Sequence, residues 1–135
     1  MSHVLFLLFL NLVSVLDAET KKPVFKHWQE MKYPYTSLVK GESGKVACLV
    51  TVSMGKVTNV GTCVSKSVSL KSKAIQNIQT WEFEVNEHSS DIQVNVVFKI
   101  SRQFCERVKY ENEFDVGSMT LTVKGWRKKH FSGSP

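Results

Sequence analysis

The chain has 135 residues, with 18 Lys and Arg against 12 Asp and Glu, and so carries a formal charge of +6 at neutral pH. Its length argues against several domains and for one, and a domain of roughly 100 residues hides well over half of its extended surface, so its core needs no covalent staples. Three cysteines, Cys48, Cys63 and Cys105, cannot all pair within one chain; with 14 and 41 residues between them they fit no zinc pattern, and no metal or other cofactor is expected.

Residues 4–16 are apolar except for Asn11 and Ser14. Thirteen residues at ~1.5 Å each reach only ~20 Å of a ~30 Å hydrocarbon core, so no spanning segment is expected. Cleavage after Ala18 puts Leu16 and Ala18 at the −3 and −1 positions, although no Lys or Arg precedes the apolar run. Residues 1–18 therefore read as a signal peptide, and the remainder as periplasmic or secreted. An uncleaved anchor or a mis-called start is the alternative. Removing this stretch discards only Asp17 among the charged groups and raises the charge from +6 to +7.

Residues 19–32 are polar and mixed, a flexible entry segment in which Trp28 covers a core edge. Tyr33-Pro34-Tyr35 opens a short helical turn and Gly41 is placed to end it in a left-handed conformation. From 45 to 52 the chain alternates: Val46, Cys48, Val50 and Val52 share one face, and Lys45, Ala47, Leu49 and Thr51 the other. Ser53-Met54-Gly55 predicts a three-residue hairpin loop. In that register Cys48 faces Val60 and Val46 faces Thr62, which turns Cys63 to the opposite face and argues against a Cys48–Cys63 bridge. A two-residue loop would instead turn Asn59, Gly61 and Cys63 inward. A Cys63–Cys105 bridge stays open.

Ser69 is the expected N-cap of a helix in which Leu70, Ala74, Ile78 and Trp81 form one apolar stripe, with Ile75 beside them. Lys71 and Lys73 sit against the dipole at its N-terminal end. Phe83 follows in an extended segment, and residues 86–91 make a loop. Residues 92–100 form the clearest strand: Ile92, Val94, Val96, Phe98 and Ile100 point one way, Gln93, Asn95, Val97 and Lys99 the other. With the third strand antiparallel beside the first, the sheet order is 2-1-3 and the third strand is an edge with unpaired backbone groups.

At this point the residues resemble the TonB C-terminal domain family. The similarity runs from Tyr33-Pro34 through Gly44-Lys45-Val46 and Gly55-Lys56-Val57-Thr58-Asn59-Val60, to Ser67, Leu70, Ala74-Ile75, Ile78 and Trp81-Glu82-Phe83. It ends in Ile92-Gln93-Val94-Asn95-Val96-Val97-Phe98-Lys99-Ile100, which looks like the family's last core strand. The resemblance implies an α+β fold, two helices packed on a three-stranded antiparallel sheet over residues 33–100. It also implies a periplasmic module of TonB-dependent transport that binds a protein partner, the TonB box of an outer-membrane transporter, by strand addition to the third strand. The peptide-binding edge would be Ile92, Gln93, Val94, Asn95, Val96, Val97, Phe98 and Lys99. Strand exchange into a homodimer is a further property of such domains.

Three departures stand beside it. There is no Pro-rich spacer, the prolines being Pro23, Pro34 and Pro135; and Val85 stands where the family often has Pro. Residues 101–131 form an extension in which Val108 with Tyr110, then Met119, Leu121 and Val123, alternate like a β-hairpin around Asp115-Val116-Gly117-Ser118. That hairpin can cover the third strand, pack elsewhere, or extend the sheet from its other side. If it covers the strand, the alternative function follows: an exported interaction or structural domain whose peptide edge is filled by its own extension. Lys124, Arg127, Lys128 and Lys129 crowd around Trp126 and His130, a cluster suited to phosphate or acidic headgroups and more commonly a solvated tail; no nucleic-acid partner is expected. No enzyme is expected either. His27, His88 and His130 fall in no nucleophile–base motif, and Glu82 with Glu84 reads as a solvated strand side.

Overall fold

A computed structural model of the chain describes residues 23–129. The expected signal peptide and His130 lie outside the described residues. Within them the chain forms β1 (Phe25–His27), α1 (Tyr35–Lys40), β2 (Gly44–Ser53), β3 (Lys56–Val64), α2 (Val68–Ile78), β4 (Glu82–Phe83), β5 (Ser90–Ile100), β6 (Lys109–Asp115) and β7 (Thr120–Trp126). All seven strands join one sheet in the order β1-β4-β3-β2-β5-β7-β6. Every pairing is antiparallel except β5 with β7.

Local chemistry accounts for the element ends. Pro34 precedes α1 with φ −59°, and Gly41 closes it at φ 76°. The Gly41 and Glu42 N–H groups donate back to Leu38 and Ser37, which satisfies two terminal carbonyls of the helix. Helix α2 starts two residues earlier than Ser69 predicts. Ser67 is its N-cap, accepting from the Leu70 N–H at 3.2 Å and donating to a Glu42 carboxylate oxygen at 3.1 Å. The Leu70, Ala74, Ile78 and Trp81 stripe is buried. Because a start at either serine buries that same stripe, periodicity alone leaves the cap open.

The expectation of two helices on a three-stranded antiparallel sheet is overturned. Strands β3, β2 and β5 stand side by side, but as the middle of a seven-stranded mixed sheet that curls into a half-barrel. The curl is visible where its ends meet: Phe25 of β1 stacks on Phe114 of β6, ring centroids 4.4 Å apart, although these strands are opposite edges of the sheet. Trp81 meets Phe114 edge-on at 5.2 Å, and Trp28 stacks on it at 5.8 Å.

The C-terminal hairpin is built into this core. Leu121 and Val123 are fully buried alongside Val46, Val50, Val94, Val96 and Phe98. Gly125 of β7 explains how α1 docks, since a Cβ there would lie 2.8 Å from the Tyr33 ring and 2.9 Å from a Leu38 methyl. Helix α1 therefore rests on β7, a strand absent from the three-stranded scheme. The described part of the entry segment, residues 23–32, contributes β1 and the buried Met31.

The β2–β3 register is likewise corrected. Met54 (φ 52°) and Gly55 (φ 79°) form a two-residue loop with Ser53 opposite Lys56, the geometry whose twist matches the flanking strands. Two register shifts, between Thr51 and Val52 and between Cys48 and Val50, then bring Cys48 directly opposite Cys63. Both face the core and form a disulfide with Cα atoms 4.1 Å apart. A uniform register hides this, because each bulge resets which residues share a face. Cys105 is free.

Candidate functional site

The structure places the expected peptide edge inside the sheet along most of its length. On one side β2 pairs with β5 from Val52 opposite Ser90 to Gly44 opposite Phe98. On the other, β7 runs parallel from Thr120 beside Asn95 to Gly125 beside Ile100, and the Asn95 N–H donates to the Met119 carbonyl at 2.9 Å. Ile92, Val94, Val96 and Phe98 are buried in the core; Gln93 and Lys99 are exposed, and Asn95 and Val97 half-buried on the outer face. Asn95, Val96, Val97 and Phe98 therefore have strands on both sides, and Lys99 has β7 on one. Only Ile92, Gln93 and Val94 retain an outer side without β7.

A longer free edge lies on β3. The two-residue β4 meets β3 at a single position, Lys56 opposite Glu82, with the Phe83 N–H donating to the Gly55 carbonyl at 2.8 Å. From residue 58 to residue 64 no described strand lies on the outer side of β3. The short reach of β4 has a sequence cause: Phe83 is followed by a polar run, Asn86-Glu87-His88-Ser89, and the chain leaves the sheet for its loop. That signal was present in the sequence, although an apolar-alternation reading favours the stronger β5 pattern.

Backbone geometry gives this edge a direction. Residues opposed at about 4.5 Å across an antiparallel ladder are a non-hydrogen-bonded pair, whose N–H and C=O groups point away from each other. Cys48 and Cys63, at 4.1 Å, fit that class, so the Cys63 N–H and C=O face outward from β2. The disulfide clamps this point of β3 to β2. Around it the exposed side chains are Thr58, Asn59, Thr62 and Val64, with Val60 half-buried. Ile75 of the neighbouring α2 is also half-buried against the core.

The segment that builds β3 and α2 is basic. From Gly55 to Trp81 the chain contains Lys56, Lys66, Lys71 and Lys73 and no Asp or Glu. Elsewhere, Glu82, Glu84, His27 and His88 are all exposed; Glu82 stands opposite His27 and Lys56 in the ladders. Among the described residues no three His, Cys, Asp or Glu side chains converge as metal ligands, and no helix is long and apolar enough to cross a membrane. Burial, reinforced by the Glu42 charge, pushes the Tyr33 hydroxyl up to about 12. That hydroxyl donates to the Glu42 backbone carbonyl.

No family model, curated protein or solved structure matches the chain. The TonB resemblance rests on the motifs quoted above alone, and the arrangement it implies, two helices on a three-stranded antiparallel sheet, is not the one observed.

Proposed function

We propose that this chain is a non-catalytic protein-interaction module that receives an extended, acidic segment of a partner along the free edge of β3. The single observation that carries this reading is the uncovered run of β3 at residues 58–64, beyond its one pairing with β4. An unpaired edge is a template for a further strand, and main-chain hydrogen bonds supply affinity in strand addition while side-chain neighbours supply selectivity. The Cys48–Cys63 clamp pre-organises the edge, which lowers the ordering cost of binding. Lys56, Lys66, Lys71 and Lys73 outnumber the nearby carboxylates, Glu82 opposite Lys56 and Glu30 in the recess with Lys73, and this excess favours acidic partners and opposes edge-to-edge pairing of two copies. Strand addition along residues 92–99 is less well supported, because β7 already lies beside Asn95 through Ile100.

Peptide selection on the folded chain, followed by amide-shift mapping with isotope-labelled protein, tests the proposal. Selected peptides should be rich in Asp, Glu and β-branched residues and should shift amides 58–64. A proline at the centre of such a peptide should abolish the shifts, since it removes a ladder donor. Peptides representing a TonB box form the second arm. Shifts confined to Ile92, Gln93 and Val94 in either arm, or selected peptides that leave amides 58–64 unmoved, overturn the β3 reading.

A further inference from the structure

A second surface, distinct from the β3 edge, forms where the chain crosses the end of β7. The connection from β5 to β6, residues 101–108, passes over the exit of β7 and is held there by backbone bonds: Cys105 N–H to the Arg127 carbonyl at 3.0 Å and Lys129 N–H to the Cys105 carbonyl at 2.7 Å. This crossing collects cations that are far apart in sequence. Lys99 of β5 stands beside Lys124 of β7. The Lys109 and Lys124 ammonium groups lie 4.8 Å and 5.0 Å from the Trp126 ring centre, and the Arg127 guanidinium lies 5.0 Å from that of Phe104. Arg102 and Lys129, with Gln103 and Phe104, line an open recess of about 620 Å³.

Two properties separate this face from an ordinary solvated one. Among the described residues the one ion pair is Lys109 with Glu111, at 3.3 Å; Lys99, Arg102, Lys124, Arg127 and Lys129 form none, although Glu111 stands opposite Lys124 in the β6–β7 ladder and Glu106 lies on the crossing loop. On the same loop as Arg102 stand two apolar side chains left in water, Phe104 at 49% and Val108 at 39% exposure. Unneutralised cations attract phosphate-bearing surfaces in general. Exposed apolar side chains among them suit a surface with hydrocarbon beneath its charges, where long cationic stems and rings insert together. The phosphate backbone of a nucleic acid gives Phe104 and Val108 no such environment.

We infer that this face docks on a membrane surface rich in anionic phospholipid, with the cations on the headgroups and Phe104 and Val108 entering the interfacial layer. The inference goes beyond the β3 reading and shares none of its residues. The test is co-sedimentation of the full chain with vesicles of phosphatidylcholine alone and with phosphatidylglycerol added. The expected result is binding that depends on phosphatidylglycerol, falls with added salt, and weakens about fivefold for each cation removed. Arg102→Glu with Lys129→Glu should remove most of that dependence. Phe104→Ser should weaken binding while leaving the salt dependence unchanged, because it alters insertion and not charge. These side chains are outside the core, and an unchanged urea midpoint verifies folding in each variant. The inference is overturned if the two vesicle types sediment the chain equally, if the Arg102→Glu and Lys129→Glu variant retains the full dependence, or if single-stranded oligonucleotide binds where phosphatidylglycerol vesicles do not.

Discussion

Asn112 is the side chain whose removal should most clearly open the half-barrel. Its Oδ1 accepts from the Met31 N–H and its Nδ2 donates to the Met31 carbonyl, each at 2.8 Å, so one amide side chain acts as a strand partner for the incoming segment. Met31 itself is buried. Asn112→Ala strands both backbone groups. At about 1–3 kcal/mol for each buried group left without a partner, reduced where water can enter, the expected cost is about 2–4 kcal/mol. That is a large share of a typical stability of roughly 5–15 kcal/mol. For a domain of this size each kcal/mol moves the midpoint by roughly 4–8 °C, so thermal unfolding should shift down by about 10–20 °C. Asn112→Leu should cost nearly as much, which separates hydrogen bonding from lost volume. Urea unfolding followed by tryptophan fluorescence gives the energy, and native-state hydrogen exchange at the Met31 amide gives the location. Phe25 and Phe114 close the same seam, so Phe25→Ala and Asn112→Ala should be non-additive by about 0.5 kcal/mol or more. A cost below about 0.5 kcal/mol for Asn112→Ala, with unchanged Met31 exchange, would refute the account of the seam.

Three further outcomes are expected. Thiol titration of the unfolded, unreduced chain should find one reactive thiol, Cys105, and three after reduction; Cys48→Ala with Cys63→Ala should lower stability by about 3 kcal/mol, the scale for a separation of 15 residues. Full reactivity without reductant would eliminate the bridge. Gly125→Ala should destabilise by about 1–3 kcal/mol because its Cβ enters the space of Tyr33 and Leu38, and a companion Leu38→Ala should recover part of that loss; a neutral Gly125→Ala would show that α1 does not sit on β7. Tyr33 should ionise near pH 12 in the folded chain against its ordinary 10.0, read by ultraviolet difference absorbance. Its folded value is raised, so the native state holds the proton longer: the contribution is complete below pH 10 and is lost as pH rises from 10 towards 12. Equal alkaline stability profiles for the parent and Tyr33→Phe would contradict this.

The patterns legible in the sequence were those that depend on spacing along one segment. The alternation of Val46, Cys48, Val50 and Val52, the stripe from Leu70 to Trp81, the cap at Gly41 and the alternation around Leu121 all recur as buried faces or element ends. Properties that depend on partner choice were not legible. Nothing in the spacing of residues 53–64 marks two bulges, yet they decide that Cys48 meets Cys63. Leu121 and Val123 mark a strand face without saying that β7 inserts beside β5, and Gly125 becomes informative only once Tyr33 and Leu38 are known to press on it. The expected site shifted for the same reason. A strong alternating pattern from Ile92 to Ile100 identifies a well-buried strand, and a strand buried in this way is often one with neighbours on both sides. The open edge is instead β3, whose exposed Thr58, Asn59, Gly61 and Thr62 carry a weak apolar signal.

The order β5-β7-β6 also has a consequence for how the molecule is made. A ribosome releases β5 and then β6 before β7, although β7 must occupy the place between them. The sheet therefore cannot grow strand by strand in the order of synthesis. Until residues 120–126 emerge, β5, which carries Val94, Val96 and Phe98 into the core, has one flank exposed, and the loop at 101–108 can still move aside. The pairing of β5 with β7 closes a long loop, and such non-local steps are slow and open to association between nascent chains. Completion of this fold should consequently be a late event, and a chaperone that shields the β5 flank during that interval should raise the folded yield more than one acting on the β2–β3 hairpin.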